Sequence, residues 1–123
     1  MVVEWAQNCK AQHAVLDLLY AVPNGAKLPY RRNKYGQRYS REAQYLLAEG
    51  LRPGVPDLCL PVARKGYHGM YIEMKWGSNV PTAEQKRTID LLRNEGYYVV
   101  VCWGSESAIQ EIENYLGIKT LWL

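Results

Sequence analysis

Four residues in the middle of the chain have the types and spacing to handle a phosphodiester: Asp57, Glu73, Lys75 and Gln85. Asp57 follows Gly54-Val55-Pro56 and opens a strand-like run, Leu58-Cys59-Leu60-Pro61-Val62. Glu73 and Lys75 lie inside a second run, Gly69-Met70-Tyr71-Ile72-Glu73-Met74-Lys75. Side chains alternate along a strand, so Glu73 and Lys75 share one face, and Ile72, Met74 and Trp76 share the apolar one. If the two runs pair as a hairpin, Asp57 lies beside Glu73. Two carboxylates that close repel, and one of them tends to hold a proton. A divalent cation removes the conflict. Mg²⁺ takes oxygen ligands and keeps waters and substrate phosphates. Asp57, Glu73 and the carbonyl of Met74 can supply its protein ligands. Lys75 can then hold an attacking water or a developing phosphate charge. The plainer alternative is a half-exposed strand whose Glu-X-Lys decorates the surface. The Pro-Asp turn one hairpin upstream favours convergence.

The elements that must position these residues read as follows. Residues 3–17 form an apolar stripe at helical spacing, Trp5, Cys9 and Leu16, widened by Ala11, Val15 and Leu18. Glu4 sits in the first turn, where it either suits the helix dipole or is a third acidic group aimed at the metal site. Leu18 to Val22 reads as a short strand, ended by Pro23 and the Asn24-Gly25 turn signal. Ser40 caps a helix through Ala48, with Gly50 past its end. Pro56 fixes the backbone just before Asp57. Arg64 to His68 connects the hairpin, and His68 and His13 both read as isolated rather than ligating. A loop from Gly77 to Pro81 leads to Thr82 and Gln85, which match a capping box for a helix to about Asn94. Gln85 leads the inward stripe of that helix with Ile89 and Leu92, so either it caps or it faces the metal site. Tyr97 to Trp103 is apolar on both faces, as a central strand should be. Ser105 caps a last helix with Ile109, Ile112 and Leu116 on one stripe, ended by Gly117. The tail Leu121-Trp122-Leu123 must pack on its own domain or on a second subunit.

From Lys27 to Arg41 the chain holds Lys27, Arg31, Arg32, Lys34, Arg38 and Arg41 with no acidic residue, and Tyr30, Tyr35 and Tyr39 between them. Basic and aromatic residues on an irregular loop suit phosphate neutralisation and base stacking. Charge segregated in this way favours a nucleic-acid surface over an incidental solvated loop. Lys86, beside Gln85, is placed to reach the same backbone.

The chain of 123 residues is one domain, 1–123, with a net charge of +3 that permits an anionic partner without demanding one. It holds ten Tyr, four Trp and no Phe, so the packed aromatics bring polar atoms that need partners. Cys9, Cys59 and Cys102 form no CxxC pair and read as buried free thiols in a reducing cytoplasm. No run of ~18 apolar residues exists to span a membrane, and the N-terminus lacks a signal-peptide apolar region.

The order is helix, short strand, helix, Pro-Asp strand, Glu-X-Lys strand, helix, strand, helix. It resembles the restriction-endonuclease-like PD-(D/E)XK fold: α/β, with a mixed central sheet of about four strands flanked by helices. More narrowly it resembles the VRR-NUC family, the virus-type replication-repair nucleases. Glu4, Pro23-Asn24-Gly25, Gly54 to Leu58, Tyr71 to Lys75, Gln85 and Gly96 with the valine strand carry the likeness. The resemblance implies a Mg²⁺- or Mn²⁺-dependent endonuclease of DNA repair. Asp57, Glu73 and the Met74 carbonyl would be metal ligands, Glu4 a further one directly or through water, and Lys75 and Gln85 would assist catalysis. Stand-alone members are similar to Holliday junction resolvases, expected to act as homodimers on branched double-stranded DNA. A cytoplasmic protein of a bacterial or phage-infected cell fits that likeness. The segment from Ala26 to Ser40 matches no motif.

Overall fold

The computed structural model describes residues 1–23 and 30–120. Four helices, α1 (Val2–Cys9), α2 (Arg41–Ala48), α3 (Ala83–Asn94) and α4 (Ser105–Leu116), surround a four-stranded sheet. The sheet holds β1 (Tyr20–Ala21), β4 (Leu58–Leu60), β5 (Met70–Lys75) and β6 (Tyr98–Trp103), in the order β1-β4-β5-β6. β1–β4 and β4–β5 pair antiparallel, and β5–β6 is parallel with α3 as the crossover. A separate hairpin joins β2 (Arg31–Arg32) and β3 (Arg38–Tyr39).

The alternation expected of β5 decides the layout. Met70 and Ile72 face the main core, with Leu58, Leu60, Cys102 and the inner stripe of α4 (Ala108, Ile109, Ile112, Tyr115). Trp5, Ala6 and Cys9 of α1 close that core. Tyr71, Glu73 and Lys75 have the opposite parity and face α3. The aromatic polar atoms find partners, as Tyr115 Oη–H donates to the Val62 carbonyl (2.6 Å), Tyr98 Oη–H to Glu111 (2.7 Å) and Trp5 Nε1–H to Thr120 (3.0 Å). All three cysteines are buried and free.

Several expected elements are corrected. The first helix stops at Cys9, and a 3₁₀ turn (Ala14–Leu18) follows. Lys10 to His13 offers no large apolar side chain to the core, and the chain turns there. His13 leaves the helical conformation (φ −134°, ψ 86°), and Leu16 and Leu19 still reach the interior. Ala11 and Leu18 are exposed and belong to no stripe.

The apolar strand β6 is at the sheet edge, not its centre. It is apolar on both faces because α3 and α4 both pack against it. Its outer edge is blunted by Arg93 of α3, whose Nη2–H donates to the Val99 carbonyl at 2.8 Å. The last helix is capped one residue early, by Gly104 at φ +90°, and Ser105 is its first residue. The segment read as an irregular loop contains the β2–β3 hairpin. Asn33 closes its turn, its Oδ1 accepting from the backbone N–H of Tyr35 and of Gln37 at 2.9 Å each. Asn24-Gly25, Lys27 and the Leu121–Leu123 tail lie outside the described residues. Among those described, no helix is long and apolar enough to cross a membrane.

Candidate active site

The site forms where β4 and β5 meet the start of α3. The antiparallel register pairs Leu58 with Ile72, so Asp57 comes opposite Glu73, as the hairpin requires. Asp57 is fixed twice. Pro56, itself buried, restricts the backbone before it, and Asp57 Oδ2 accepts the Met74 N–H at 2.7 Å. The N–H and C=O of one strand residue leave on the same side, so the Met74 carbonyl also points toward the β4 side. The register sets Pro56 opposite Met74, and proline has no N–H to give it. The expected carbonyl ligand therefore faces Asp57 with no ladder donor from that position.

Glu73 is only 2% exposed. Its Oε2 lies 3.4 Å from Gln85 Nε2 and 3.6 Å from Lys75 Nζ. Its Oε1 is buried with no hydrogen-bond partner. Burial first, and the adjacent Asp57 carboxyl second, push Glu73 up to about 7, with Lys75 pulling the other way. An acid in that position is half-protonated near neutrality unless a cation joins it.

Lys75 is held with its side chain 14% exposed, and its Nζ–H donates to Gln85 Oε1 at 2.9 Å. Gln85 caps the helix and also reaches the Glu73 carboxyl. Its Oε1 also accepts the Thr82 N–H at 2.9 Å, and the Thr82 side chain accepts the Gln85 N–H at 3.1 Å, completing a capping box. The box fixes the amide that orients Lys75 and touches Glu73.

These groups line a cavity of about 520 Å³ with Asp57, Glu73, Met74, Lys75 and Gln85 on its wall. A second hollow of about 240 Å³ adjoins it, sharing Asp57 and Gln85, and is lined by Tyr30 and Arg52. Arg38 stacks on the Tyr30 ring, 4.1 Å from its centroid, so one end of the hairpin borders the site. Arg31, Arg32 and Lys34 are exposed on the same hairpin. Arg32 and Arg38 are cross-strand neighbours, and Arg32 Nη1–H is drawn to the Gly36 carbonyl at 2.7 Å. Lys86 is exposed on α3 and lines neither hollow.

Two expectations about the site fail. Glu4 does not join Asp57 and Glu73. It is exposed on the outer side of α1, because Val2, Trp5 and Ala6 take the inward positions, and it lines a different cavity with Asn8 and His13. Among the described residues no three His, Cys, Asp or Glu side chains converge. Trp76 does not share the buried face with Ile72 and Met74. β5 ends at Lys75, and the chain turns so that Trp76 is 53% exposed on the cavity rim. Arg52 also lines the adjoining hollow, a position the sequence does not signal because Arg52-Pro53-Gly54 reads as the approach to the Asp57 strand, outside the charged segment.

The donor set suits a hard divalent cation. It offers two carboxylates, one with an orphaned buried oxygen, and a main-chain carbonyl, leaving the remaining positions to water and phosphate.

Comparison with known proteins agrees with this geometry. No curated protein matches the chain. Among solved structures, a VRR-NUC domain protein superposes with a TM-score of 0.64 at 25% identity, over 97% of this chain and 91% of its own. The model of the VRR-NUC domain matches residues 10–106, which include Asp57, Glu73, Lys75 and Gln85 and leave out Glu4. With its sheet, its Pro-Asp and Glu-X-Lys strands and that match over most of its length, the chain belongs to the VRR-NUC family, with the nuclease-type fold that family carries.

Proposed function

We propose that this protein is a divalent-metal-dependent, structure-selective endodeoxyribonuclease, acting as a homodimer on branched double-stranded DNA and resolving Holliday junctions. The observation that carries the reading is the buried Glu73 oxygen without a partner, set beside Asp57. A carboxylate buried in that state costs stability that a structural role would not require.

Asp57, Glu73 and the Met74 carbonyl would hold Mg²⁺ or Mn²⁺. When bound, the ion polarises a phosphate and lowers the pKa of a water. Lys75, steered by Gln85, orients the attacking water and offsets the charge that develops on the phosphate oxygens. Arg38 and Arg52 border the site, and Arg31, Arg32, Lys34 and Lys86 are exposed and would track the flanking backbone. Lys27, of the same basic segment, is proposed as a further backbone contact on its charge alone. A symmetric dimer would present two such sites to a two-fold branched substrate.

The test is cleavage of a labelled four-way junction beside a flap and a linear duplex, with Mg²⁺, Mn²⁺ or EDTA, wild type against Asp57→Asn. Paired symmetric cuts on the junction, lost in EDTA and in the variant, are expected. Cutting of the flap or linear duplex alone would keep the nuclease and discard the resolvase. Junction binding without metal-dependent cutting of any substrate would make this a binding module of the same fold.

A further inference from the structure

The residue next to the proposed water-orienting lysine is a tryptophan that the fold leaves uncovered. Trp76 is 53% exposed, although it directly follows a strand whose residues are all buried or half-buried. It lines the same cavity as Asp57, Glu73 and Lys75, with its Cα one peptide (about 3.8 Å) from that of Lys75. Its backbone is held. The Trp76 carbonyl accepts the Asn79 N–H at 3.1 Å, and the Asn79 carbonyl accepts Trp103 Nε1–H at 2.8 Å, so the end of β6 braces the loop. Gly77 makes the turn at φ +57°. Trp76 is thus a large aromatic surface on a fixed backbone, adjoining an anion-handling site.

Resting on the nuclease reading of this site, we propose that Trp76 is a stacking platform for an unpaired base beside the cleaved phosphodiester, and that it sets the preference for DNA with unpaired nucleotides at the cut. The chemistry favours that partner. In an intact duplex each base face is covered by its neighbours, so an indole face has nothing to stack on. At a branch point or a frayed end, faces are free, and an aromatic side chain accepts any of the four bases. Glu73 lies deep in the cavity. A strand that leaves the duplex can follow its phosphate inward and bring its base onto the rim. Arg52 and the Arg38–Tyr30 pair lie along the adjoining hollow, where the continuing backbone needs positive charge.

The experiment is fluorescence anisotropy in EDTA, so that binding is read whether or not the protein cuts. The probes are a fork with unpaired arms and a fully paired duplex of equal length, and the proteins are wild type, Trp76→Ala and Trp76→Phe. Trp76→Ala should weaken fork binding by about tenfold or more, while duplex binding stays within about twofold and Trp76→Phe recovers most of the loss. A protein that never cleaves but gives this pattern sinks the nuclease reading and keeps the platform. Equal loss on both probes, no loss on the fork, or a change of oligomeric state in sedimentation on Trp76→Ala would overturn the platform, the last by making the rim a protein interface.

Discussion

Glu73 is held in a place that favours its neutral form, and this makes the site a source of instability as well as chemistry. Its folded-state value of about 7 lies above the ordinary 4.5. Between those limits the folded protein binds more protons than the unfolded chain, so stability falls as pH rises through the window and stays low above it. Glu73→Gln removes the penalty. In EDTA at pH 8 the variant should melt a few degrees above wild type, and below pH 4.5 the two should converge. A wild-type curve flat across that window would show that the carboxyl is not held neutral. Divalent metal should narrow that gap at pH 8, stabilising wild type by up to about 2.7 kcal/mol at about 100 times its Kd and leaving Glu73→Gln nearly unmoved. Gln85 invites a second separation of roles. Gln85→Glu keeps a capping-box residue at the third helical position but replaces the amide N–H that reaches Glu73 with a carboxylate oxygen. Because the new carboxylate lies against Glu73, melting is compared at acid pH, where both groups are protonated and the melting temperature should be preserved, while cleavage at neutral pH is largely lost. An equal loss of both would mean that Gln85 matters only as a cap. The four site residues were legible in the sequence because a strand's two-residue period and a helix cap are local rules. The misplacement of Trp76 comes from where β5 stops, which residue periodicity does not record; the outward position of Glu4 follows from the Trp5–Cys9 stripe, which the attraction of a third acidic group outweighed.

At the level of elements, the site depends on how closely the Pro-Asp approach packs on α3. Gly54 has φ +86°, and a Cβ there would lie 3.0 Å from Glu84 Cγ, 3.1 Å from the Glu84 carbonyl and 3.1 Å from Thr88 Oγ1. Two of those atoms belong to the residue before Gln85. Gly54→Ala should therefore cost about 1–2 kcal/mol from the left-handed backbone alone, and more from the contact. It should lower cleavage beyond that loss, since Asp57 and Gln85 are pushed apart. Urea unfolding with an unchanged m-value would measure the first part, and turnover at a temperature where the variant is fully folded the second. Unaltered turnover there would show that the site tolerates movement of α3. Gly96 has a parallel steric reason: its Cβ would meet the His68 ring at 2.7 Å, which assigns that histidine to packing between the hairpin connector and β6. The sheet's membership was readable from strand patterning, and its order was not. Apolar faces report what covers a strand above and below, and β6 is covered on both faces while one edge stays outside the sheet. The β2–β3 hairpin escaped notice for a similar reason. Its two-residue strands are too short to show alternation, and the Asn33 side chain closes the turn by accepting the backbone N–H of Tyr35 and Gln37, which leaves no periodic trace.

Across the whole molecule the charge is unevenly placed. Six of the fifteen basic residues lie between Lys27 and Arg41, and the rest of the chain has more acidic than basic residues despite the net +3. DNA should therefore be drawn to one side of the protein, the side where the hairpin adjoins the site, and not to its surface at large. Each phosphate neutralised by a lysine or arginine releases condensed counterions, so log K against log salt falls with a slope near −0.9 per contact on duplex DNA. Arg32 and Arg38 project from the same side of the hairpin as cross-strand neighbours, a like-charge pairing that costs stability unless an anion lies between them. Arg32→Ala and Arg38→Ala should each make the salt slope shallower by about one contact, measured by anisotropy on a junction in EDTA. Substituting Lys10, which pairs with Asp17 on an exposed surface away from both hollows, should leave the slope unchanged. Arg38→Ala should act beyond the slope, because its guanidinium also covers Tyr30 at the border of the site. Its cleavage should drop even at low salt, where binding is saturated and a pure electrostatic tether would no longer matter. If both hairpin variants keep the wild-type slope, the duplex approaches by another face, and Arg52 and Lys86 become the contacts to substitute next.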